Sequence, residues 1–196
     1  MAKILFNTRK DKKNLQRRDF ITKTLSEYLI PEDSIILEVG IGNGRFGLLL
    51  AEYFKQYLGI DPDEEYVELA KKNVPSNADV IYKLGKAESI PFEKQVEAIL
   101  FANVWHFIKD TSAAIKEIDR LLKKDGVVLI IEPSSNRNTW ADERLNKNSE
   151  KFDKQMYERK ISHLRVGKEV LLKQKELEII EQGELGESNF YVLRKK

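Results

Sequence analysis

Apolar and polar positions along the chain change their spacing several times, and each change predicts a new element. Apolar residues between Asp11 and Leu29 recur at helical intervals, and Pro31 ends the pattern. This first block predicts an amphipathic helix. The next block, Ser34 to Val39, is a short run of mostly Ile, Leu and Val, which is typical of a strand buried on both faces.

From Ser34 to Pro133, strand-like segments alternate with helix-like segments. Further strands are predicted over QYLGI, ADVIYKL, VEAILFAN and GVVLIIEP, and helices over RFGLLLAEYF, Asp63 to Asn73 and Thr111 to Lys123, with Thr111 as a helix cap and KKDG as a turn. Strands that alternate with helices indicate a parallel sheet covered on both faces. Near the C-terminus, ELEIIEQGE and SNFYVLRK are closely spaced strand-like runs, which we expect to pair as an antiparallel hairpin.

These elements predict an α/β fold with seven strands, mostly parallel, with helices on both faces and an antiparallel hairpin at its end. The sequence contains no internal repeat and no linker, so we expect a single domain. Its expected parts are an N-terminal helix and cap over 1–33, a core over 34–133, a polar and irregular segment over 134–174 and the terminal hairpin over 175–196.

Composition excludes several kinds of chemistry. With 41% hydrophobic residues and 34% charged residues, the chain has a globular composition. Its net charge of +2 argues against a broad nucleic-acid surface without excluding a local one, so we do not expect a nucleic-acid partner. The sequence shows no signal peptide and no apolar segment long enough to span a bilayer, so we expect a cytoplasmic protein with no membrane partner. The absence of cysteine and the presence of only 2 histidines exclude thiolate chemistry and zinc sites of several histidines, so we expect no metal.

Closely spaced glycines follow the first predicted strand, in SIILEVGIGNGRFG. Gly40, Gly42 and Gly44 lie where a buried strand turns into a helix, so backbone N–H groups can approach a polar or anionic ligand group. Glu38 lies within that strand, and Asp61 ends the next one, where a carboxylate can accept hydrogen bonds from ribose hydroxyls. Two carboxylates around the loop suit a ligand with an ammonium or sulfonium at one end and a ribose at the other.

The same stretch contains GNGRFG, which also matches the dinucleotide pattern G-x-G-x-x-G. In that frame Gly42 is the first glycine, and Gly40 and Glu38 are left unexplained. A nicotinamide enzyme would also need a second domain for its hydride acceptor, and the sequence shows none. The pattern therefore favours the ligand with the cationic end.

A longer set of segments carries a family resemblance. ILEVGIGNGRFGLLLAEYF, YLGIDPDEEYVELAKKN, KLGKAESIPF and AILFANVWHFIKDTSAAIKEIDRLLKKDGVVLIIEP, in this order, resemble the class I S-adenosylmethionine-dependent methyltransferases of type 11, in the branch that methylates quinone precursors, sterols and other small metabolites. The resemblance runs from Ser34 to Pro133. It implies a doubly wound Rossmann-like fold, with S-adenosyl-L-methionine as cofactor and S-adenosyl-L-homocysteine as product.

The resemblance also assigns cofactor contacts to single positions. It implies that Glu38 acts on the methionyl amino end, that Asp61 binds the ribose hydroxyls, and that Asn103 lines the methionyl side of the pocket. It further implies a loop beneath the cofactor, formed by Gly40, Gly42 and Gly44. It also implies an adenine site, formed by Pro62, Ala87 and Glu88.

The chain departs from the family at Lys86, where an acidic residue often reaches the adenine amino group. Lysine cannot accept that hydrogen bond. Either Glu88 takes the role, or backbone contacts and packing hold the adenine and Glu88 is a solvent-facing turn residue.

Methyl transfer from a sulfonium requires mainly alignment of the acceptor and exclusion of water, with a base only where the acceptor must lose a proton. His106, in NVWHFIKD, is the candidate catalytic base, because the family that the chain resembles often has histidine at this position. Alternatively, His106 packs beneath the next helix with a satisfied hydrogen bond. Trp105 and Phe107 either wall a pocket or belong to the core, and we expect His163 to be a surface or packing residue.

The resemblance implies a small-molecule methyl acceptor that reacts through O, N or C. We expect the N-terminal helix and the segment 134–174 to fold over the cleft as a substrate lid, with apolar side chains available from Tyr28, Trp140, Met156 and Tyr157. Two alternatives stay open. One is an RNA or protein methyltransferase that uses the basic residues among the first 18 positions, and the other is a module that binds the cofactor without turnover.

Overall fold

Helices and strands alternate through the computed structural model, which describes residues 9–133, 175–186 and 188–196. The helices are α1 (Arg9–Ser26), α2 (Arg45–Ala51), α3 (Glu64–Lys72) and α4 (Thr111–Leu121), with single 3-10 turns at Pro31–Asp33 and Trp105–Phe107. The strands are β1 (Ile35–Val39), β2 (Gln56–Asp61), β3 (Val80–Leu84), β4 (Val96–Ala102), β5 (Leu122–Pro133), β6 (Leu177–Leu185) and β7 (Ser188–Lys195). The predicted lid over 134–174, with Trp140, Met156, Tyr157 and His163, lies outside the described residues.

The strands form one sheet of seven strands in the order β3-β2-β1-β4-β5-β7-β6. The neighbouring pairs from β3 to β5 are parallel, whereas β7 is antiparallel to both β5 and β6. This confirms the predicted mostly parallel sheet with a terminal hairpin. The strand order reverses direction at β1 and β4, and such a switch point opens a crevice at the carboxyl ends of the strands.

The sheet separates two apolar clusters, and β1 contributes to both. Ile35, Leu37 and Val39 belong to one cluster and Ile36 to the other, so the uniformly apolar strand is buried on both faces. Helix α4 packs on the first cluster, and α1 packs on the second. None of the helices in the described part of the chain is long and apolar enough to cross a membrane.

The start of α4 corrects one prediction. Its cap is Asp110, whose Oδ1 accepts a hydrogen bond from the N–H of Ala113 at 2.9 Å, so the prediction of Thr111 was wrong by one position. Both residue types cap helices, but the aspartate adds a negative charge that the positive end of the helix dipole favours.

The predicted KKDG turn lies inside a strand. Strand β5 begins at Leu122, and its pairing with β4 moves from Val96–Leu122 to Ala98–Val127. The intervening residues therefore leave the ladder, and Asp125 takes a φ of 65°. The segment does turn the chain, but as a bulge within β5 rather than as the link between α4 and the strand.

Candidate functional site

The glycine loop joins β1 to α2 through three residues in the left-handed region of backbone space. The φ angles of Gly40, Gly42 and Gly44 are +82°, +52° and +70°. A Cβ at Gly40 would lie 2.3 Å from Val104, and one at Gly44 would lie 2.5 Å from Ala70, so close packing also requires these two glycines. A Cβ at Gly42 would meet no atom within 4 Å. The middle glycine therefore faces open space that a ligand can occupy.

Asp61 ends β2 and holds the loop beside it. Its Oδ2 accepts a hydrogen bond from the N–H of Gly42 at 2.8 Å, and its Oδ1 accepts one from the N–H of Asp63 at 3.0 Å. Each carboxylate oxygen has a second lone pair. The side chain can therefore order the loop and still accept hydrogen bonds from a pair of ligand hydroxyls.

Glu38 is buried at the carboxyl end of β1, with 3% of its surface exposed. The hydroxyl of Tyr57, on β2, donates a hydrogen bond to its Oε2. Burial raises the pKa of Glu38 from 4.5 to about 7, the Tyr57 hydrogen bond and the charge of Arg17 oppose this rise, and the charge of Asp61 adds to it. A cationic ligand group beside this carboxyl group would favour its ionised form.

Arg17, on α1, is a site residue that the sequence analysis missed. Burial lowers the pKa of its guanidinium, whereas the charges of Glu38 and Glu132 raise it. The guanidinium therefore lies near two buried carboxyl groups at the ends of β1 and β5. The sequence carried a signal for this position, because Arg17 precedes the buried residues Ile21 and Leu25 by one and two helical repeats and so shares their face of α1.

Asn103 follows β4 and faces the same guanidinium. With its amide oxygen directed toward Arg17, it accepts hydrogen bonds from Nη1 at 2.9 Å and from Nη2 at 3.2 Å. Its backbone N–H donates to the carbonyl of Ile131 at 2.7 Å, and its φ of 61° turns the chain away from the sheet. The structure thus places Asn103 on the guanidinium of Arg17, which also lies near Glu38.

A cavity of about 320 Å³ lies beside the loop. Its lining contains the predicted residues Gly40, Pro62, Ala87 and Glu88, together with Lys86 and the apolar side chains of Val39, Val104, Phe107 and Ile108. Residues from the ends of four strands thus share one mainly apolar wall. Such a wall can enclose a flat aromatic ring, as the adenine assignment requires.

Glu88 makes a contact that neither of its two predicted roles included. Its Oε1 accepts hydrogen bonds from the N–H groups of Lys109 and Asp110, at 3.1 Å and 3.4 Å. The carboxylate therefore holds the chain that leads into α4 while the residue lines the cavity.

His106 is buried in the 3-10 turn after β4. Its Nδ1 is hydrogen-bonded to Oε2 of Glu132, and Oε1 of Glu132 accepts a hydrogen bond from the N–H of Trp105 at 3.0 Å. Trp105 is a core residue that packs edge-to-face on Phe101, with ring centroids 5.1 Å apart. Phe107, by contrast, is 65% exposed and lines the cavity.

Tyr28 has a packing contact away from these groups. Its hydroxyl donates a hydrogen bond to Glu181 of β6 at 2.8 Å, and its ring lies under Arg194 of β7. Among the described residues, no three His, Cys, Asp or Glu side chains lie close enough together to hold a metal ion.

The part of the chain that forms this crevice is similar to known proteins. Residues 37–130 match a family model described as a methyltransferase domain. Over these residues the chain is similar to methyltransferases.

Three curated relatives give the range of the similarity. An uncharacterised methyltransferase of Bacillus subtilis is 29% identical over 114 residues, which are 57% of this chain and 45% of that protein. A methyltransferase-like protein of Schizosaccharomyces pombe is 37% identical over 110 residues, or 55% and 40% of the two chains. A ubiquinone biosynthesis O-methyltransferase of Pelagibacter ubique is 28% identical over 96 residues, or 48% and 40%. The chain spans about half the length, or less, of these curated relatives.

Solved structures match over nearly the whole chain. A Pyrococcus horikoshii protein has a TM-score of 0.70 at 18% identity, covering 97% of this chain and 93% of that one. A putative S-adenosylmethionine-dependent methyltransferase of Methanococcus maripaludis has a TM-score of 0.69 at 21% identity, covering 100% and 96%. At these identities the likeness shows a shared fold.

The residues present fit S-adenosylmethionine, the cofactor that the sequence resemblance implies. An anionic and a cationic side chain, Glu38 and Arg17, lie close together at the sheet crevice and complement the charges of an amino-acid group. Gly42 leaves open space at the loop, and Asp61 retains acceptor capacity for a ribose.

Proposed function

We propose that this chain transfers the methyl group of S-adenosylmethionine to a small-molecule acceptor. The observation that carries the proposal is the position of Glu38 and Arg17 beside a glycine loop whose middle residue faces open space. A structural ion pair alone does not require the open space at Gly42, and a pyrophosphate would be repelled by Glu38.

Each part of the cofactor has a complementary group in this arrangement. Glu38 would hold the methionyl ammonium, and Arg17 would hold the methionyl carboxylate through charge-assisted hydrogen bonds. Asp61 would accept hydrogen bonds from the ribose hydroxyls. The wall that contains Pro62 and Ala87 would enclose the adenine, since Lys86 offers no acceptor for its amino group.

The bound cofactor supplies an activated methyl group, so the chain has to orient the acceptor and exclude water. The cavity wall after β4, which includes Val104 and Phe107, would provide an apolar contact surface for the acceptor. His106 is the proposed catalytic residue, because it lies in this same segment.

Two observations favour a small acceptor over RNA. Arg17 is directed into the site, and Arg18 donates to Asp19 at 2.8 Å, so both of these basic residues have acidic partners within the chain. The net charge of +2 provides no broad surface for a polyanion. The name of the Pelagibacter relative, a ubiquinone biosynthesis O-methyltransferase, agrees with a small acceptor.

The test has two stages. Isothermal titration calorimetry with S-adenosylmethionine and S-adenosylhomocysteine should show binding of both at one site, and failure to bind either would refute the assignment. Incubation with methyl-labelled cofactor and separate metabolite, RNA and protein fractions should then label the metabolite fraction. Label only in RNA or protein would establish the alternative acceptor, and tight binding without any labelled product would establish a non-catalytic module.

A further inference from the structure

The hydrogen bonds of Glu132 fix the proton position on His106. Oε1 of this buried carboxyl group accepts a hydrogen bond from the N–H of Trp105, and Oε2 is hydrogen-bonded to Nδ1 of His106. A carboxylate can only accept hydrogen bonds, so Nδ1 is the donor in a carboxylate–imidazole pair. The neutral imidazole then has its lone pair on Nε2.

The other ring nitrogen of His106, Nε2, has no hydrogen-bond partner among the residues that the structure describes. The side chain is buried, and His106 is 4% exposed. A buried acceptor without a partner costs free energy, and such groups occur at sites where a ligand or substrate completes the bond. The ring of Phe107, which lines the cavity, lies 4.0 Å from the imidazole centroid. The imidazole that carries Nε2 therefore packs against a residue that lines the cavity.

Charged groups on two other elements surround the pair. The guanidinium of Arg17, on α1, faces Glu132. Glu38, on β1, faces the same guanidinium from the other side. The carboxylate of Glu132 can then both orient the imidazole and stabilise the imidazolium that forms when Nε2 takes a proton.

We infer that Nε2 of His106 accepts the proton of a hydroxyl group on the methyl acceptor, with Glu132 as the positioning residue, so that the site forms O-methyl products. This inference rests on the proposed function. The hydroxyl proton passes to Nε2 while an oxygen lone pair forms the bond to the methyl carbon. The carbon–sulfur bonding pair stays on sulfur, which becomes a neutral thioether, and the imidazolium returns its proton to solvent.

The need for a base distinguishes acceptor classes. A neutral amine can attack a methyl sulfonium with its lone pair before it loses a proton, so an oriented base is not obligatory there. A neutral hydroxyl is a weak nucleophile unless its proton is removed during attack. A buried carboxylate–imidazole pair with a bare nitrogen therefore matches a hydroxyl acceptor.

The tautomer can be measured without knowledge of the acceptor. The chain has only 2 histidines, so nitrogen NMR of histidine-labelled protein can resolve His106 once His106→Asn has assigned its signals. We expect the wild type to carry its proton on Nδ1. In Glu132→Gln the single amide oxygen is required by the N–H of Trp105, so the amide NH₂ group faces Nδ1 and should move the ring proton to Nε2. A wild-type proton on Nε2, or an unchanged tautomer in Glu132→Gln, would overturn the inference.

The acceptor class needs a second measurement. With S-adenosylhomocysteine bound, phenol and catechol serve as hydroxyl probes and aniline as an amine probe. The hydroxyl probes should shift the Nε2 resonance and aniline should not, and a response to aniline alone would reject the hydroxyl assignment. Glu181→Gln is the matched control, because it alters a carboxylate–tyrosine hydrogen bond on β6 and should leave these signals unchanged.

Measurements of the turnover rate distinguish this inference from the proposed function. For any hydroxyl probe that is methylated, His106→Asn and Glu132→Gln should lower kcat about 100-fold or more, with little change in cofactor KM. Unchanged kcat in both variants would refute a role of the pair in proton transfer. Failure of the cofactor to bind would refute the proposed function, whereas the tautomer measurement would still decide the state of the pair.

Discussion

Burial of Glu38 imposes a pH-dependent cost on the folded protein. The pKa of this carboxyl group is about 7 in the folded chain, against an ordinary value of 4.5. At 1.36 kcal/mol per pH unit, the difference corresponds to about 3 kcal/mol. Because the folded pKa is the higher one, the cost is absent below pH 4.5, where the group is protonated in both states. It grows as the pH rises and is complete above about pH 7.

Replacement of the carboxyl group by an amide should remove this cost. Glu38→Gln keeps an oxygen that can accept the hydrogen bond from Tyr57, and it cannot ionise. We expect the free energy of unfolding of the variant to exceed that of the wild type by about 3 kcal/mol at pH 8, and by about 1 kcal/mol at pH 5. Any pH-independent effect of the amide would add equally to both values.

Urea unfolding at the two pH values measures the difference directly. Glu117→Gln is the control, because the hydrogen bond from Arg120 lowers the pKa of Glu117 and its effect should not change between pH 5 and pH 8. An equal gain at both pH values for Glu38→Gln, or a larger gain at pH 5, would refute the argument. The same variant should bind S-adenosylmethionine more weakly. The carboxylate of Glu38 would therefore lower the stability of the folded protein and strengthen binding of the charged ligand.

Three further predictions concern cofactor binding. Gly42→Ala and Gly186→Ala place a Cβ at φ angles of +52° and +58° with no atom within 4 Å, so each should cost about 1 kcal/mol of stability, but calorimetry should show weaker cofactor binding only for Gly42→Ala. Cofactor affinity should rise about tenfold from pH 6 to pH 8 as Glu38 ionises, and a flat profile would contradict its contact with the ammonium. Arg17→Gln should weaken cofactor binding about tenfold, and unchanged affinity would reject its contact with the carboxylate.

Local sequence patterns predicted most of the fold. The apolar run before Gly40 and the alternation that follows it identified all seven strands of the described sheet, because each element buries a face that its own residues define. The helix cap predicted at Thr111 was wrong by one position, because two neighbouring residues can both cap a helix. The three glycines and Asp61 were likewise found from sequence, since a tight turn after a buried strand needs residues without side chains and the end of the next strand lies beside it.

The strands and the glycine loop could be predicted from the sequence, since they depend on residues close together in the chain, and S-adenosylmethionine was implied by the resemblance of longer segments. The proximity of Arg17 to Glu38 and the hydrogen bond between Glu132 and His106 are visible only in the folded chain. The partners in each pair lie on different elements and meet because parallel strands bring their carboxyl ends to one edge, where α1 packs across them. This packing determines which charged groups are buried next to each other, and no local sequence pattern predicts it.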